Sequence, residues 1–240
     1  MSYKYPLLVI QCGNTFPEIC EKFGDFDQWF LDVIHQLGGR GEIVNAHQNP
    51  VLPDIHGYCG VLITGSPAMV TDKARWSEDL GCWLAQHVGD GVPILGVCYG
   101  HQLLAHALGG EVDYQPGGRE IGSLRLTLQP DADSDRLFSS VKDDFHAHLT
   151  HSQSVVRIPP GARLLASSSR VEVQALHFGF NCWGLQFHPE FNEGIMGAYL
   201  QAFHRGLPTE LRVHLDPRPC NVARSLLEKF ISGCLEGSFV

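Results

Sequence analysis

Residues 93–110 read PILGVCYGHQLLAHALGG. An apolar strand pattern over 93–97 runs into Gly96-Val97-Cys98-Tyr99-Gly100, and a helical stripe of Leu103, Leu104, Ala107 and Leu108 follows at once. A strand that turns directly into a helix leaves little room where the two meet, so glycine is needed on both sides of the turn. The residue at the tip, Cys98, is then held in a strained backbone conformation with its side chain facing outward. This is the pattern of a nucleophile elbow with sulfur in the nucleophile position. The helix N-terminus beneath the sulfur favours the thiolate, which is the reactive form of cysteine.

The segments before the elbow repeat the same alternation. Residues 6–12 read as a buried strand. Phe26, Trp29, Phe30, Val33 and Leu37 are spaced as a helix face that stops at Gly38-Gly39. Strands are predicted over 42–46 and 61–63, the second ending in Thr64-Gly65-Ser66-Pro67, and Leu80, Trp83, Leu84 and Val88 mark another helix. This order predicts a parallel sheet with crossover helices. Sites in such sheets gather at the carboxyl ends of strands. After Gly110 the pattern changes to strands over 111–114, 122–128, 163–168, 172–178 and 182–187, expected to be antiparallel, with 115–118 as a hairpin loop. Helices are expected over 195–204 and 221–231, joined by a proline-interrupted connection over 208–219. The predicted fold class is α/β, a three-layer sandwich on a mixed, mainly parallel sheet with a small antiparallel sheet beside it. Residues 1–206 form the domain, and 207–240 form a helical appendage packed on it.

A second chemical signal lies in Cys182-Trp-Gly-Leu-Gln-Phe-His-Pro-Glu190. A cysteine hydrolase needs a base that takes the thiol proton and returns it to the leaving amine. It also needs a third group to fix the imidazole tautomer. His188 and Glu190 stand two apart at the end of a β pattern, so on an extended segment both side chains leave the same face. Pro189 between them limits drift of that geometry.

Bulk properties remove several function classes. The chain has 240 residues, is 44% hydrophobic and carries a net charge of −9 with no basic cluster, so a nucleic-acid groove is not expected. The apolar run at 7–10 is too short for a signal core, and no run is long enough to span a bilayer, which predicts a cytoplasmic protein. The eight cysteines, at 12, 20, 59, 82, 98, 182, 220 and 234, show no paired spacing and are expected to be reduced. His146, His148 and His151 form a His-x-His-x-x-His pattern that three imidazoles could turn to zinc. In a chain with 13 histidines the plainer reading is a polar loop, so no metal and no cofactor is expected.

The run Gly96-Val97-Cys98-Tyr99-Gly100-His101-Gln102, taken with His188-Pro189-Glu190, resembles the class I, triad-type glutamine amidotransferases. It is most similar to the glutaminase domain of GMP synthase and its free-standing relatives. The likeness runs from the first strand to the helix after His188, and it implies a flavodoxin-like core. His151-Ser152-Gln153-Ser154 is similar to the family's substrate-facing loop. By this resemblance Cys98 attacks the side-chain amide of glutamine, His188 serves as base and then acid, and Glu190 orients it. The oxyanion hole is then made by the N–H of Tyr99 and one from the Gly65-Ser66-Pro67 turn. Gln102 and the His151-Ser152 backbone hold the amino and carboxylate ends of the substrate. The family usually carries Gly-Gly-Pro where this chain has Gly65-Ser66-Pro67. Glu120 matches a family position for which a structural ion pair is the expectation. No lysine follows a glycine, so a Walker-type nucleotide loop is missing, and any synthetase that accepts the ammonia is expected on a separate subunit.

Two other readings use the same residues. A γ-glutamyl peptidase would cut γ-glutamyl peptides or conjugates with the same triad and differ only on the leaving-group side. A non-enzymatic redox sensor or chaperone of related fold would also display an elbow cysteine, but it has no need of the His-Pro-Glu partner.

Overall fold

The computed structural model describes residues 5–48, 50–205 and 217–239. Strands β1 (Leu7–Gln11), β3 (Gly60–Ile63) and β4 (Ile94–Val97) are buried along their whole length. They read as continuous apolar runs because helices cover both faces, as parallel sheets require. β2 (Gly41–Asn45) flanks β1, and the connecting helices are α1 (Pro17–Phe23), α2 (Phe26–Gln36), α3 (Arg75–His87) and α4 (Tyr99–Ala107).

The second half adds β5 (Glu111–Tyr114), β6 (Glu120–Leu128), β7 (Phe145–His151), β8 (Gln153–Arg157), β9 (Arg163–Ser167), β10 (Ala175–Gly179) and β11 (Cys182–Leu185). Helices α5 (Glu193–His204) and α6 (Asn221–Glu236) follow. Nine strands form one sheet in the order β2-β1-β3-β4-β11-β10-β9-β6-β7, and β5 and β8 form a separate antiparallel pair. The β1–β2, β1–β3, β3–β4 and β4–β11 pairings are parallel, and the rest are antiparallel. Alternate residues of one strand enter opposite cores. Leu7 and Val9 pack with Phe30 and Val33 of α2 and Leu227 and Phe230 of α6. Leu8 and Ile10 pack with Leu80 and Leu84 of α3 and Leu103 and Leu104 of α4. The result is the three-layer α/β sandwich with a small antiparallel sheet that the periodicity predicts.

Three local expectations are corrected. Residues 115–118 do turn, with the Gly118 N–H on the Gln115 carbonyl at 3.0 Å, but they are not a hairpin loop. β5 pairs with β8 and β6 with β7 and β9, so the turn carries the chain from one sheet to the other. The β pattern before His188 stops at Leu185, and His188-Pro189-Glu190 lies in a turn closed by the Phe191 N–H on the His188 carbonyl at 3.4 Å. β7, rich in histidine, was not anticipated as a strand. Most of the 208–219 connection lies outside the described residues.

α6 buries Leu226, Leu227, Phe230 and Ile231 in the same core as β1, β3 and β4. We propose that α6 therefore unfolds cooperatively with the sheet it packs on. Phe230→Ala should cost about 3–5 kcal/mol, as for other buried aromatic truncations. Denaturant unfolding should show one transition shifted to lower midpoint. A second, separate transition would contradict the proposal.

Candidate active site

The elbow is built as tightly as its sequence implies. Cys98 has φ 52° and ψ −98°, a positive-φ conformation unfavourable for any residue with a Cβ. A Cβ on Gly96 would stand 2.5 Å from the carbonyl carbon and oxygen of Gly100, and one on Gly100 would stand 2.7 Å from the Ile63 carbonyl oxygen. Both positions therefore need glycine. The Cys98 N–H donates to the Leu185 carbonyl at 2.7 Å, tying the elbow to the end of β11. Tyr99 opens α4, so its N–H has no partner one turn back within the helix. Its ring stacks on Trp76 at 5.5 Å, and its hydroxyl meets Ser77 at 2.5 Å.

His188 arrives from β11, three residues past the strand end. Its N–H donates to the His148 carbonyl at 2.8 Å, and its Nδ1 lies 2.7 Å from Glu190 Oε1. Across a tight turn the two side chains meet as an extended segment was expected to present them. The ring is stacked between Phe191 at 4.1 Å and Phe26 at 6.3 Å. A Cβ on Gly65 would stand 3.0 Å from His188 Cε1, so a side chain there would press on the imidazole. Nε2 is buried without a hydrogen-bond partner among the described residues, as is Glu190 Oε2. Burial is the largest influence on the ring and opposes its charge. The neighbouring charges of Glu190 and Cys98, and the hydrogen bond to Glu190, outweigh it and push the imidazole up to about 10. That value stands above the ordinary 6.5, so the charged ring favours the folded state fully below pH 6.5. The advantage is lost as pH rises through about 10.

The Gly65-Ser66-Pro67 turn is sewn to the end of β1. The Cys12 N–H donates to Thr64 Oγ1 at 3.0 Å, and Ser66 Oγ donates to the Cys12 carbonyl at 2.8 Å and accepts from the Ala68 N–H at 3.1 Å. Ser66 is not among the positive-φ residues, so the serine needs no glycine-like backbone. The space is made opposite it. A Cβ on Gly13 would come within 2.6 Å of Ser66 Oγ.

The expected substrate contacts are more constrained than the sequence implied. Gln102 is buried, and both amide hydrogens are committed, to the Gln153 carbonyl at 2.7 Å and Gln186 Oε1 at 2.9 Å. Only its oxygen is left to receive a donor such as an amine. Both His151 ring nitrogens are also engaged, Nδ1 with the Gln153 carbonyl at 2.8 Å and Nε2 with Glu120 Oε2 at 3.0 Å. Glu120 further accepts from Ser168 Oγ at 2.7 Å and Gln174 Nε2 at 2.6 Å. Burial works against its charge, but those donors prevail and hold the carboxyl below its ordinary value. The Glu120 network thus fixes the corner at His151-Ser152-Gln153 from behind. His148 instead faces Ser123 at 3.0 Å, so the three histidines of the 146–151 pattern do not converge. Among the described residues no group of three metal-ligating side chains occurs, all eight cysteines are free, and no helix is long and apolar enough to cross a membrane.

Cys98, His188, Ser66, Tyr99, Gln102 and the 150–153 corner line one cleft of about 380 Å³. Its far wall escaped sequence reasoning: Phe16, Phe26, Tyr199, Phe203 and Arg119. Asp25 gives the one local signal for that wall. It caps α2 through Phe26 N at 2.8 Å and accepts from the Thr15 N–H at 2.8 Å and Asn14 Nδ2 at 2.8 Å, holding the 14–16 loop over the cleft. Thr15 Oγ1 then meets Tyr199 of α5 at 2.6 Å.

The family described as glutamine amidotransferase class-I matches residues 23–204. The chain is similar to a glutamine-hydrolyzing GMP synthase of Cytophaga hutchinsonii, 36% identical over 151 residues, which cover 62% of this chain and 28% of that protein. It is similar also to that of Christiangramia forsetii, 34% identical over 168 residues, covering 70% and 31%. The chain thus spans less than a third of the length of these relatives. A glutamine amidotransferase structure from Thermotoga maritima shares the fold at TM-score 0.75 and 20% identity, covering 98% of this chain and 99% of that one. Another, from Methylobacillus flagellatus, does so at TM-score 0.75 and 24% identity, covering 98% and 94%.

Proposed function

The chain belongs to the class-I glutamine amidotransferases, and on that premise we propose that it hydrolyses a γ-glutamyl amide, glutamine foremost, through a thioester on Cys98. The observation that carries this is the His188–Glu190 pair, 2.7 Å apart, with an unpartnered Nε2 in the cleft that Cys98 lines. Cys98 Sγ, whose proton the His188 imidazolium already holds, attacks the amide carbonyl carbon. The oxyanion that forms takes hydrogen bonds from the Tyr99 N–H and from the Gly65-Ser66 turn. The imidazolium then gives its proton to the nitrogen, the C–N bond breaks, and ammonia leaves the thioester behind. Water, losing a proton to His188, attacks the thioester. Glutamate departs, leaving the free sulfur beside the imidazolium as at the start. Glu190 holds Nδ1 so that Nε2 faces the sulfur throughout.

The GMP synthase relatives are named as glutamine-hydrolyzing, which supports glutamine as the amide. The cleft favours a second reading with the same chemistry. Its volume reaches the range of sites for ligands larger than one amino acid. Phe16 and Phe203, in edge contact at 5.5 Å, offer an apolar wall to a bulkier amine. Hydrolysis of γ-glutamyl conjugates would use that wall.

Product release from glutamine and from γ-glutamyl aryl- and alkylamides should be measured in the wild type across pH. Activity is expected to fall as pH rises through the high value of the His188 imidazole, because the neutral ring cannot protonate the leaving amine. In Glu190→Gln that alkaline limb should move to lower pH, since a charge that raises the imidazole is gone. Failure of every γ-glutamyl amide to turn over would defeat the reading. An alkaline limb unmoved in Glu190→Gln would detach Glu190 from it.

A further inference from the structure

Among the described residues Arg119 is the only lysine or arginine that lines the cleft. It precedes β6, whose first residue, Glu120, is locked in its buried network. The guanidinium lies over the Phe203 ring, 4.1 Å from its centroid, and Nη1 reaches Thr150 Oγ1 at 3.5 Å. The carbonyl of the same Thr150 is 4.0 Å from Cys98 Sγ, so one residue touches both the guanidinium and the sulfur. Arg119 and Cys98 also interact electrostatically.

What this arginine lacks is an acid. Among the described residues no carboxylate pairs with it, whereas the arginines at 75, 125, 157, 163, 205 and 224 each have one within 4.0 Å, and the other unpaired ones, Arg40, Arg136, Arg170 and Arg218, do not line the cleft. A half-buried guanidinium without a counterion is costly, and burial already weakens its hold on its proton. Every γ-glutamyl compound brings a carboxylate. Of the groups first assigned to hold the two ends of the substrate, the Gln102 side chain has spent both donors and cannot take a carboxylate.

We propose that Arg119 is the carboxylate anchor of the cleft, binding a carboxylate of the γ-glutamyl substrate and so fixing the scissile amide against Cys98. This rests on the γ-glutamyl amidase reading above. Two sources share the chemistry: the α-carboxylate of the γ-glutamyl half, or a carboxylate on the amine half of a peptide-like conjugate. Guanidinium suits either through two parallel N–H donors, which an ammonium cannot reproduce.

The test is the rate of covalent labelling at Cys98, read by mass spectrometry, in wild type, Arg119→Gln and Arg119→Lys. One arm uses a glutamine-derived chloromethyl ketone and its α-carboxamide. The other uses N-iodoacetylglycine and its amide. Arg119→Gln should slow the acid in one arm by about tenfold or more, the scale of a lost charge-assisted hydrogen bond. It should leave the neutral partner within about twofold, and Arg119→Lys should recover part of the loss. The affected arm identifies the carboxylate. The neutral reagent also reports whether the variant still folds around Cys98. Equal slowing of acid and neutral reagents, or slowing of neither, overturns the anchor while leaving the amidase reading standing. Acid selectivity in a protein that turns over no γ-glutamyl amide supports the anchor and defeats the amidase reading. No labelling of Cys98 by any reagent defeats both.

Discussion

Alanine at position 98 is expected to abolish hydrolysis of γ-glutamyl amides, a loss of at least about 10⁴-fold, while the fold survives intact. The sulfur is the only protein atom in the proposed sequence that bonds to substrate, and among the described residues no other side chain lining the cleft can form the thioester. The same substitution carries a stability signature that a merely structural cysteine would not show. Cys98 sits at φ 52°, where a Cβ is strained, so the native residue is held there against its backbone preference. Cys98→Gly should relieve that strain and be about 1 kcal/mol more stable than Cys98→Ala, with both variants inactive. Thermal unfolding of the three proteins beside a turnover assay checks the pair of effects. Residual wild-type activity in either variant would remove Cys98 from the mechanism. A glycine variant less stable than the alanine variant would show that the elbow stores no strain.

The elbow was legible because its determinants are local. Two glycines, an apolar strand and an apolar helix face lie within 18 residues, and steric exclusion at Gly96 and Gly100 is a short-range matter. His188 and Glu190 were legible as a pair for the same reason, although the reading of their backbone as extended was wrong. Two residues apart, they meet either along a strand face or across a turn, and spacing alone does not separate the two. β7 was hidden by its composition. Phe145, Ala147 and Leu149 alternate toward the core as a strand requires, but His146, His148 and His151 disguise the pattern. Those histidines are tolerated because partners from other strands meet them: Ser123 for His148 and Glu120 for His151. The cleft's far wall left almost no trace in the sequence. Thr15 and Tyr199, hydrogen-bonded across it, stand 184 residues apart, and nothing near Arg119 marks it as facing a sulfur. Such convergence depends on which strand lies beside which. That order, in turn, depends on the passage of β5 out of the main sheet at a turn that looks locally like any hairpin.

Gly96→Ala separates the geometry of the elbow from the chemistry it carries, because it leaves every reactive group in place. Its new Cβ would lie 2.5 Å from the Gly100 carbonyl group and 2.7 Å from Leu104 Cδ1. Leucine can rotate away, but the Gly100 backbone cannot yield freely. Gly100 is packed in turn against the Ile63 carbonyl of β3, with no space for a methyl group. Either β4 and α4 separate or the elbow tilts. Overpacking of a well-filled core costs about 1–3 kcal/mol, and forced backbone movement places this case at the upper end. About 3 kcal/mol should lower the melting temperature by roughly 10 °C in a chain of this size. A displacement of about 1 Å at the nucleophile should reduce kcat by about 10²-fold. Gly81→Ala in α3 supplies the contrast. There the added Cβ finds Leu103 Cδ1 at 3.5 Å and Ala107 Cβ at 3.7 Å, ordinary contact distances, and alanine is the better helix former by about 0.5–1 kcal/mol. That variant should match or exceed wild-type stability with turnover unchanged. Calorimetric melting and steady-state kinetics on the two variants therefore ask one question of two glycines. Equal behaviour of both would mean that the strand-to-helix junction tolerates a side chain, and that the position of Cys98 is not set by the contact between Gly96 and Gly100.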